Sequence, residues 1–179
     1  MTQPIALNTN RLCLRPFTLE DIDAVVALGS NKATHQKTGD VMIHTRAHAS
    51  EIIENTWLKE YTTYGYARMA VVHQADQKLI GFCGLKQIPA LGVPDLGYRF
   101  LPQYWGQGIA TEASHAVVTY GFDHQGLDLM RAFTMVGHTK SIRVLSKLGF
   151  EFEKRDHYPG ETKNIYNWYR LKKENYERH

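Results

Sequence analysis

The stretch FLPQYWGQGIATEASHAVVTYGF, from Phe100 to Phe122, forces a particular local geometry on this chain. A strand-like run leads into Gln103-Tyr104-Trp105-Gly106-Gln107-Gly108. A helix-periodic run with Ala113, Ala116, Val117 and Tyr120 on one face follows at once. A helix entered this way leaves its first backbone N–H groups unpaired and directed back along its axis. Gly106 and Gly108 remove the side chains that would hold a diphosphate away, and the helix dipole favours negative charge there. The amides of Gln107, Gly108, Ile109, Ala110 and Thr111 are therefore candidate anion donors. A plain turn is the alternative, because turns use glycine for its freedom in φ. Two nucleotide motifs fail: Thr111 stands where Gly-x-Gly-x-x-Gly needs its last glycine, and no Gly-Lys-Ser/Thr is present.

The rest of the chain supplies strands and helices for this junction to sit between. RLCLRPF alternates Leu12 and Leu14 against Arg11 and Arg15, as a strand with one buried face does, and Pro16 stops it. Thr18, three residues before Asp21, predicts a capped helix ending at Gly29. Thr45 predicts a second helix reaching about Tyr61, with Ile52, Ile53, Trp57 and Leu58 on one stripe. YARMAVVHQADQKLIGFCGLKQI reads as a hairpin turning at 74–78, and DLGYRFL as a short strand after the breakers Pro89, Gly92 and Pro94. The helix after Gly108 runs to about His124, and LMRAFTMV is a buried strand. Ser141 to Leu148 is a helix stopped by Gly149, and the tail is a long hairpin with Pro159-Gly160 at its tip. The expected class is α/β (α+β): a mixed, mostly antiparallel seven-stranded sheet flanked by about four helices, in a single domain over residues 1–179.

Composition narrows the function. The 21 basic and 18 acidic residues are dispersed, with no Lys/Arg block of the kind that tracks a phosphate backbone, which argues against direct nucleic-acid binding. No apolar run approaches the ~18 residues of a membrane span, and the start MTQPIALNTN has no secretory pattern. Cys13 and Cys83 form neither a zinc pattern nor a disulfide framework; they read as reduced core residues of a cytoplasmic protein. The histidines show no metal spacing, so no metal is expected.

Gln103-x-x-Gly106-x-Gly108 resembles the acetyl-coenzyme-A signature Gln/Arg-x-x-Gly-x-Gly/Ala of the GNAT N-acetyltransferase superfamily. The likeness continues through DLGYRFLPQYWGQGIATEA and HTKSIRVLSKLGFE and, with RLCLRPF, spans nearly the whole chain. Within the superfamily it looks like the branch of the ribosomal-protein alanine and serine N-acetyltransferases. The resemblance implies acetyl-CoA as co-substrate, with pantetheine in a gap between the Asp95–Leu101 strand and the strand around Phe133. Backbone groups near Phe100 and Leu101 would bond the pantetheine amides, and an N–H near Leu101 would polarise the thioester carbonyl. It further implies an amine acceptor, a protein N-terminus or a small amine, attacking directly in a ternary complex. An acyl-coenzyme-A-binding module without turnover is the reading from another class.

Many members of the superfamily place a tyrosine near the thiol in the helix that here begins near Ser141, but the matching position is Leu145. Ser141 is the expected replacement, donating to the departing sulfur; a serine capping its own helix is the alternative. Asp95 is the candidate base, against the alternative of an exposed loop carboxylate after Pro94. Glu112 reads as a partner for the helix dipole. His138 replaces the usual asparagine at a cofactor contact, and imidazole can supply only one donor or acceptor there at a time. Lys140, Arg143 and Lys147 could meet the 3′-phosphate or simply be solvated. The loops 32–45 and 156–164 should select the acceptor. The aromatic residues Tyr158, Tyr166, Trp168 and Tyr169 serve either as packing or, in a dimer, as an interface, so monomer and homodimer both stand.

Overall fold

The computed structural model describes residues 5–36, 38 and 40–176. Its strands are β1 (Leu7–Asn8), β2 (Leu12–Arg15), β3 (Arg68–His73), β4 (Lys78–Ile88), β5 (Val93–Phe100), β6 (Leu129–Met135), β7 (Glu151–Asp156) and β8 (Tyr166–Lys172). They form one sheet in the order β1-β2-β3-β4-β5-β6-β8-β7. Every neighbouring pair is antiparallel except β5 and β6, which run parallel. The mixed, mostly antiparallel sheet predicted by the sequence is thus present with eight strands instead of seven. The extra one, β1, is two residues long, too short to show an alternation, and exists by pairing Leu7 with Leu14 and Asn8 with Cys13.

The helices follow from their caps and stripes. The Asp21 carboxylate accepts the Thr18 N–H (2.9 Å) and grips Arg15 through both oxygens (2.8 Å each), fixing the entry to α1 (Ile22–Gly29). The Thr45 hydroxyl accepts His48 N–H (3.2 Å) at the start of α3 (Arg46–Ile52). A π-turn over Ile53–Leu58 joins α3 to α4 (Lys59–Tyr64), so this helix continues three residues past the predicted end, to a left-handed Gly65 (φ +80°). Two four-residue helices, α2 (Lys32–His35) and α7 (Lys173–Tyr176), were not predicted; α2 rests on the Asn31 side chain accepting Ala33 N–H (3.0 Å). Between α2 and α7 in the chain lie also α5 (Ile109–Thr119), prolonged by a π-turn over Tyr120–His124, and α6 (Thr139–Lys147). Phe150 N–H bonds the Leu145 carbonyl (3.0 Å) across left-handed Gly149, closing α6 where the glycine predicted.

The sheet is covered on both faces. On one, Leu12, Leu14, Val71, Ile80 and Leu85 pack with Val117 and Phe122 of α5 and its extension. On the other, Phe17 stacks on Trp57 (ring centres 4.2 Å apart) beneath α1 and α3. Tyr166, Trp168 and Tyr169 of β8 are buried, and Tyr158 stacks on Trp168 at 6.1 Å, so the tail aromatics serve packing. Cys13 and Cys83 are unpaired in β2 and β4; burial pushes the Cys83 thiol up to about 12.

Candidate active site

The central feature is a split in the sheet. β5 is paired with β4 along its whole length, Gly81 to Phe100 through Ile88 to Val93, whereas its parallel partnership with β6 consists of Asp95 opposite Arg131 among the described residues. Beyond Asp95 the two strands diverge. Leu101 N–H bonds the Ile80 carbonyl (2.9 Å), so strand alternation turns the backbone of Leu101, Arg99 and Gly97 toward β4 and that of Phe100 and Tyr98 into the gap. The expected roles are corrected accordingly. The Leu101 amide is engaged by Ile80 and its carbonyl accepts Tyr104 N–H (3.0 Å), leaving Tyr98 and Phe100 N–H as the amides that face the gap. The Phe100 carbonyl takes Trp105 Nε1–H at 2.7 Å and, with two lone pairs, can accept a second bond.

The glycine junction has the geometry of an open anion seat. Gly106 (φ +74°) and Gly108 (φ +77°) are both left-handed. A Cβ on Gly106 would meet nothing within 4 Å, and one on Gly108 only the Arg11 guanidinium at 3.6 Å, so the space above both is open. The first bond of α5 is Glu112 N–H to the Gly108 carbonyl (3.0 Å); the Ile109, Ala110 and Thr111 amides precede it and have no acceptor within the helix. Ile109 is buried and anchors this end, while Gln103, Gln107 and both glycines are exposed, with Gln107 Nε2 bonded to the Gln103 carbonyl (2.8 Å). These residues fit a diphosphate.

Glu112 does more than complement the dipole. It accepts Thr9 Oγ1 (2.6 Å), Arg11 N (2.9 Å) and Arg11 Nε (2.7 Å), and Arg11 Nη1 reaches the Gln107 carbonyl (2.9 Å). The β1–β2 turn therefore braces the seat from below. Burial pushes the Glu112 carboxyl up, but the Thr9 and Arg11 bonds outweigh it and hold it below the ordinary range.

At the split itself lies a cavity of about 560 Å³, bordered by both strands and lined by Asp95, Tyr98, Phe133, His138, Ser141 and Tyr158 among others. Ser141 does not cap its helix: His138 is the N-cap residue, and Ser141 Oγ lies 2.8 Å from the Tyr98 hydroxyl. Burial, partly offset by the Ser141 bond, pushes the Tyr98 phenol well above its ordinary value, so it stays protonated and can donate. Asp95 is not an exposed loop acid. It is 2% exposed in β5, paired with Arg68 Nη2 (2.9 Å), and its Oδ1 has no partner among the described residues. Leu145 is buried. Lys140 Nζ sits 5.3 Å from the centre of the Trp105 ring; Arg143 and Lys147 are exposed. Tyr98, Arg68 and Arg99 escaped the reading of the sequence. Alternation in DLGYRFL separates Tyr98 from Arg99 by face, but neither partner is local. Among the described residues no three His, Cys, Asp or Glu side chains cluster to hold a metal, and no helix is long and apolar enough to cross a membrane.

Comparison with known proteins agrees with this geometry. Residues 11–151 match the family described as "Acetyltransferase (GNAT) domain". An uncharacterized N-acetyltransferase of Bacillus subtilis (strain 168), YoaA, is 30% identical over 148 residues, covering 82% of this chain and 83% of its own. Among solved structures, RimL, a ribosomal L7/L12 α-N-protein acetyltransferase in complex with coenzyme A, superposes with a TM-score of 0.80 at 18% identity, covering 94% of this chain and 98% of its own. The ribosomal-protein-S5-alanine acetyltransferase of Vibrio fischeri gives 0.79 at 17% identity, covering 96% and 98%. A split sheet, a glycine-framed helix entrance and a family match over most of the sequence converge, and this chain belongs to the GNAT family of acetyltransferases.

Proposed function

We propose that this enzyme moves the acetyl group of acetyl-CoA to a protein α-amino terminus by direct attack in a ternary complex. The observation that carries the reading is the split between β5 and β6, with the anion seat at one end and the Tyr98–Ser141 pair beside the cavity. The amides of Gly108 to Thr111 would hold the diphosphate, Gln103 and Gln107 would shape the loop before it, and His138 and Phe100 would border the pantetheine. When bound, the coenzyme supplies an acetyl thioester whose thiol, with an ordinary pKa of about 8.5, leaves as a thiolate without a strong acid.

The chain's own groups then do the following. The Tyr98 or Phe100 N–H polarises the thioester carbonyl from the gap. Tyr98 donates to Ser141 Oγ, which frees the Ser141 proton to point at the sulfur as the C–S bond breaks. Asp95 Oδ1 supplies negative charge for the ammonium proton lost as the C–N bond forms, through water where the distance requires it. Delivering an uncharged amine at pH 7 costs about 1 kcal/mol for an α-amino group but about 4–5 kcal/mol for lysine, which favours an N-terminal acceptor. The names of RimL and the S5-alanine enzyme support the same class. The unpaired cysteines, one fully buried, suit a reducing cytoplasm. Thiol release with acetyl-CoA and a panel of peptides and small amines tests this. Release with free N-terminal peptides, and none when the same N-termini are blocked, is expected; turnover with small amines alone sinks the assignment.

A further inference from the structure

A buried cation on β5 lies outside the steps above. Arg99 is on the same face of the strand as Asp95 and lines the same cavity, yet its side chain is only 8% exposed. Its Nη2 meets both oxygens of Asp40 (2.7 and 2.6 Å), on the segment between α2 and α3. Its Nη1 lies 2.9 Å from His35 Nε2 in α2, and its guanidinium carbon is 5.5 Å from the centre of the Phe82 ring. One guanidinium thereby joins three separate pieces of chain. The segment it holds contributes Thr38, Asp40, Val41 and Ile43 to the cavity lining, and Val41 is 78% exposed there, an apolar side chain left bare on a wall.

The pairing also fixes a tautomer. Guanidinium has donors only, so His35 Nε2 must accept, and the ring carries its proton on Nδ1. That nitrogen lies 3.2 Å from the Asn31 carbonyl and 3.0 Å from the Thr34 hydroxyl. The side chain that ties the wall to the sheet is therefore itself held by the N-terminal turn of α2.

We infer that Arg99 is a positioning residue for the acceptor: its guanidinium staples His35 and Asp40 to the central strand, so that 40–45 forms a fixed wall presenting Val41 to the incoming amine. This rests on the acetyl-transfer reading of the cavity, but the fixed wall can be measured without turnover. Asp40, half-exposed and outside the core, is the residue to change. In Asp40→Asn, amide hydrogen exchange of 40–45 in the ligand-free protein should quicken about tenfold, KM for the acceptor peptide should rise about tenfold, and the Kd of coenzyme A should stay within twofold. Adding Arg99→Met to Asp40→Asn should raise KM little further than Arg99→Met alone, while Arg99→Lys should recover part of the loss. Nitrogen-15 NMR of the ring should report His35 protonated at Nδ1. Unchanged exchange in Asp40→Asn, additive effects of the two substitutions, or an Nε2-protonated His35 overturns the staple. An absence of acceptor-dependent thiol release from the unaltered enzyme would instead sink the transfer reading, and the exchange experiment would still decide the staple.

Discussion

Gly108→Ala isolates what the helix entrance does, because its structural cost can be worked out separately from its cost to binding. Gly108 is left-handed at φ +77°, a conformation that burdens an L-residue by about 1–2 kcal/mol. Sterically the new methyl meets only Arg11 Nη2 at 3.6 Å, an ordinary contact, so no overlap adds to that figure. For a chain of 179 residues about 1 kcal/mol lowers Tm by roughly 2–4 °C, giving a fall of roughly 2–8 °C in a protein that remains folded. The strain can be relieved only by rotating the peptides around 108, which turns the Ile109–Thr111 amides off the axis they now share. Each charge-assisted bond lost to a phosphate is worth about 1.5–3 kcal/mol, so coenzyme A should bind about 10- to 150-fold more weakly. Calorimetry reads both numbers, one by scanning and one by titration. If Tm falls as stated while Kd stays within twofold, the diphosphate is not held at this entrance, and the family signature would here be no more than a turn.

Other substitutions probe single links. Ser141→Ala should lower kcat about 10- to 100-fold, the worth of one hydrogen bond to developing charge, with coenzyme Kd unchanged; Tyr98→Phe should give a smaller loss in the same direction, and stopped-flow thiol release separates them. Glu112→Gln should cost about 1–2 kcal/mol in urea unfolding, allowing for screening at Arg11, which is about a third exposed. The Glu112 and Asp21 carboxyls are held below their ordinary range in the folded state, burial opposing and the Thr9 and Arg11 bonds to Glu112 and the Arg15 bonds to Asp21 prevailing. Their contribution is therefore whole above the unfolded carboxyl pKa of about 4 and is lost as pH falls through the lower folded values; Tm measured against pH should drop less steeply in acid for Glu112→Gln than for the parent. Phe17→Ala should cost about 3–5 kcal/mol, since the ring is 1% exposed and stacked on Trp57.

The sequence carried most of the scaffold because most of its signals are local. Alternation in RLCLRPF, the caps at Thr18 and Thr45, the turn read at 74–78, of which Lys78 already opens β4, and the stop at Gly149 each depend on residues within one or two turns of chain. β1, α2 and α7 escaped because two to four residues cannot display a period. At the site the division is the same. Gly106 and Gly108 announce a left-handed entry by their identity, whereas the surroundings of Asp95 come from Arg68, 27 residues earlier, delivered by the register of three antiparallel strands. Read locally, an acid after Pro94 looks like a loop; only that register buries it. Tyr98 was hidden for a related reason, its partner Ser141 lying 43 residues away across the split.

That split is held open by the protein itself, which bears on how the coenzyme binds. β5 is paired along its outer edge with β4 and β6 along its outer edge with β8, so either strand moves toward the other only together with the part of the sheet it is paired to. Inside the gap, Tyr98 reaches Ser141 across it, while Trp105 caps the Phe100 carbonyl and carries Lys140 of α6 on its ring. These ties join the end of β5 to α6. An extended, amide-bearing ligand can then add to the Tyr98 and Phe100 edge as a strand would, without first prising a sheet apart. If the coenzyme binds as proposed, ordering costs should fall mainly on the ligand and on the 103–108 loop, and affinity should depend more on the anion seat than on the pantetheine edge. Coenzyme fragments test the ordering of these effects: the nucleotide diphosphate half should retain most of the binding free energy, and the pantetheine half alone should bind weakly.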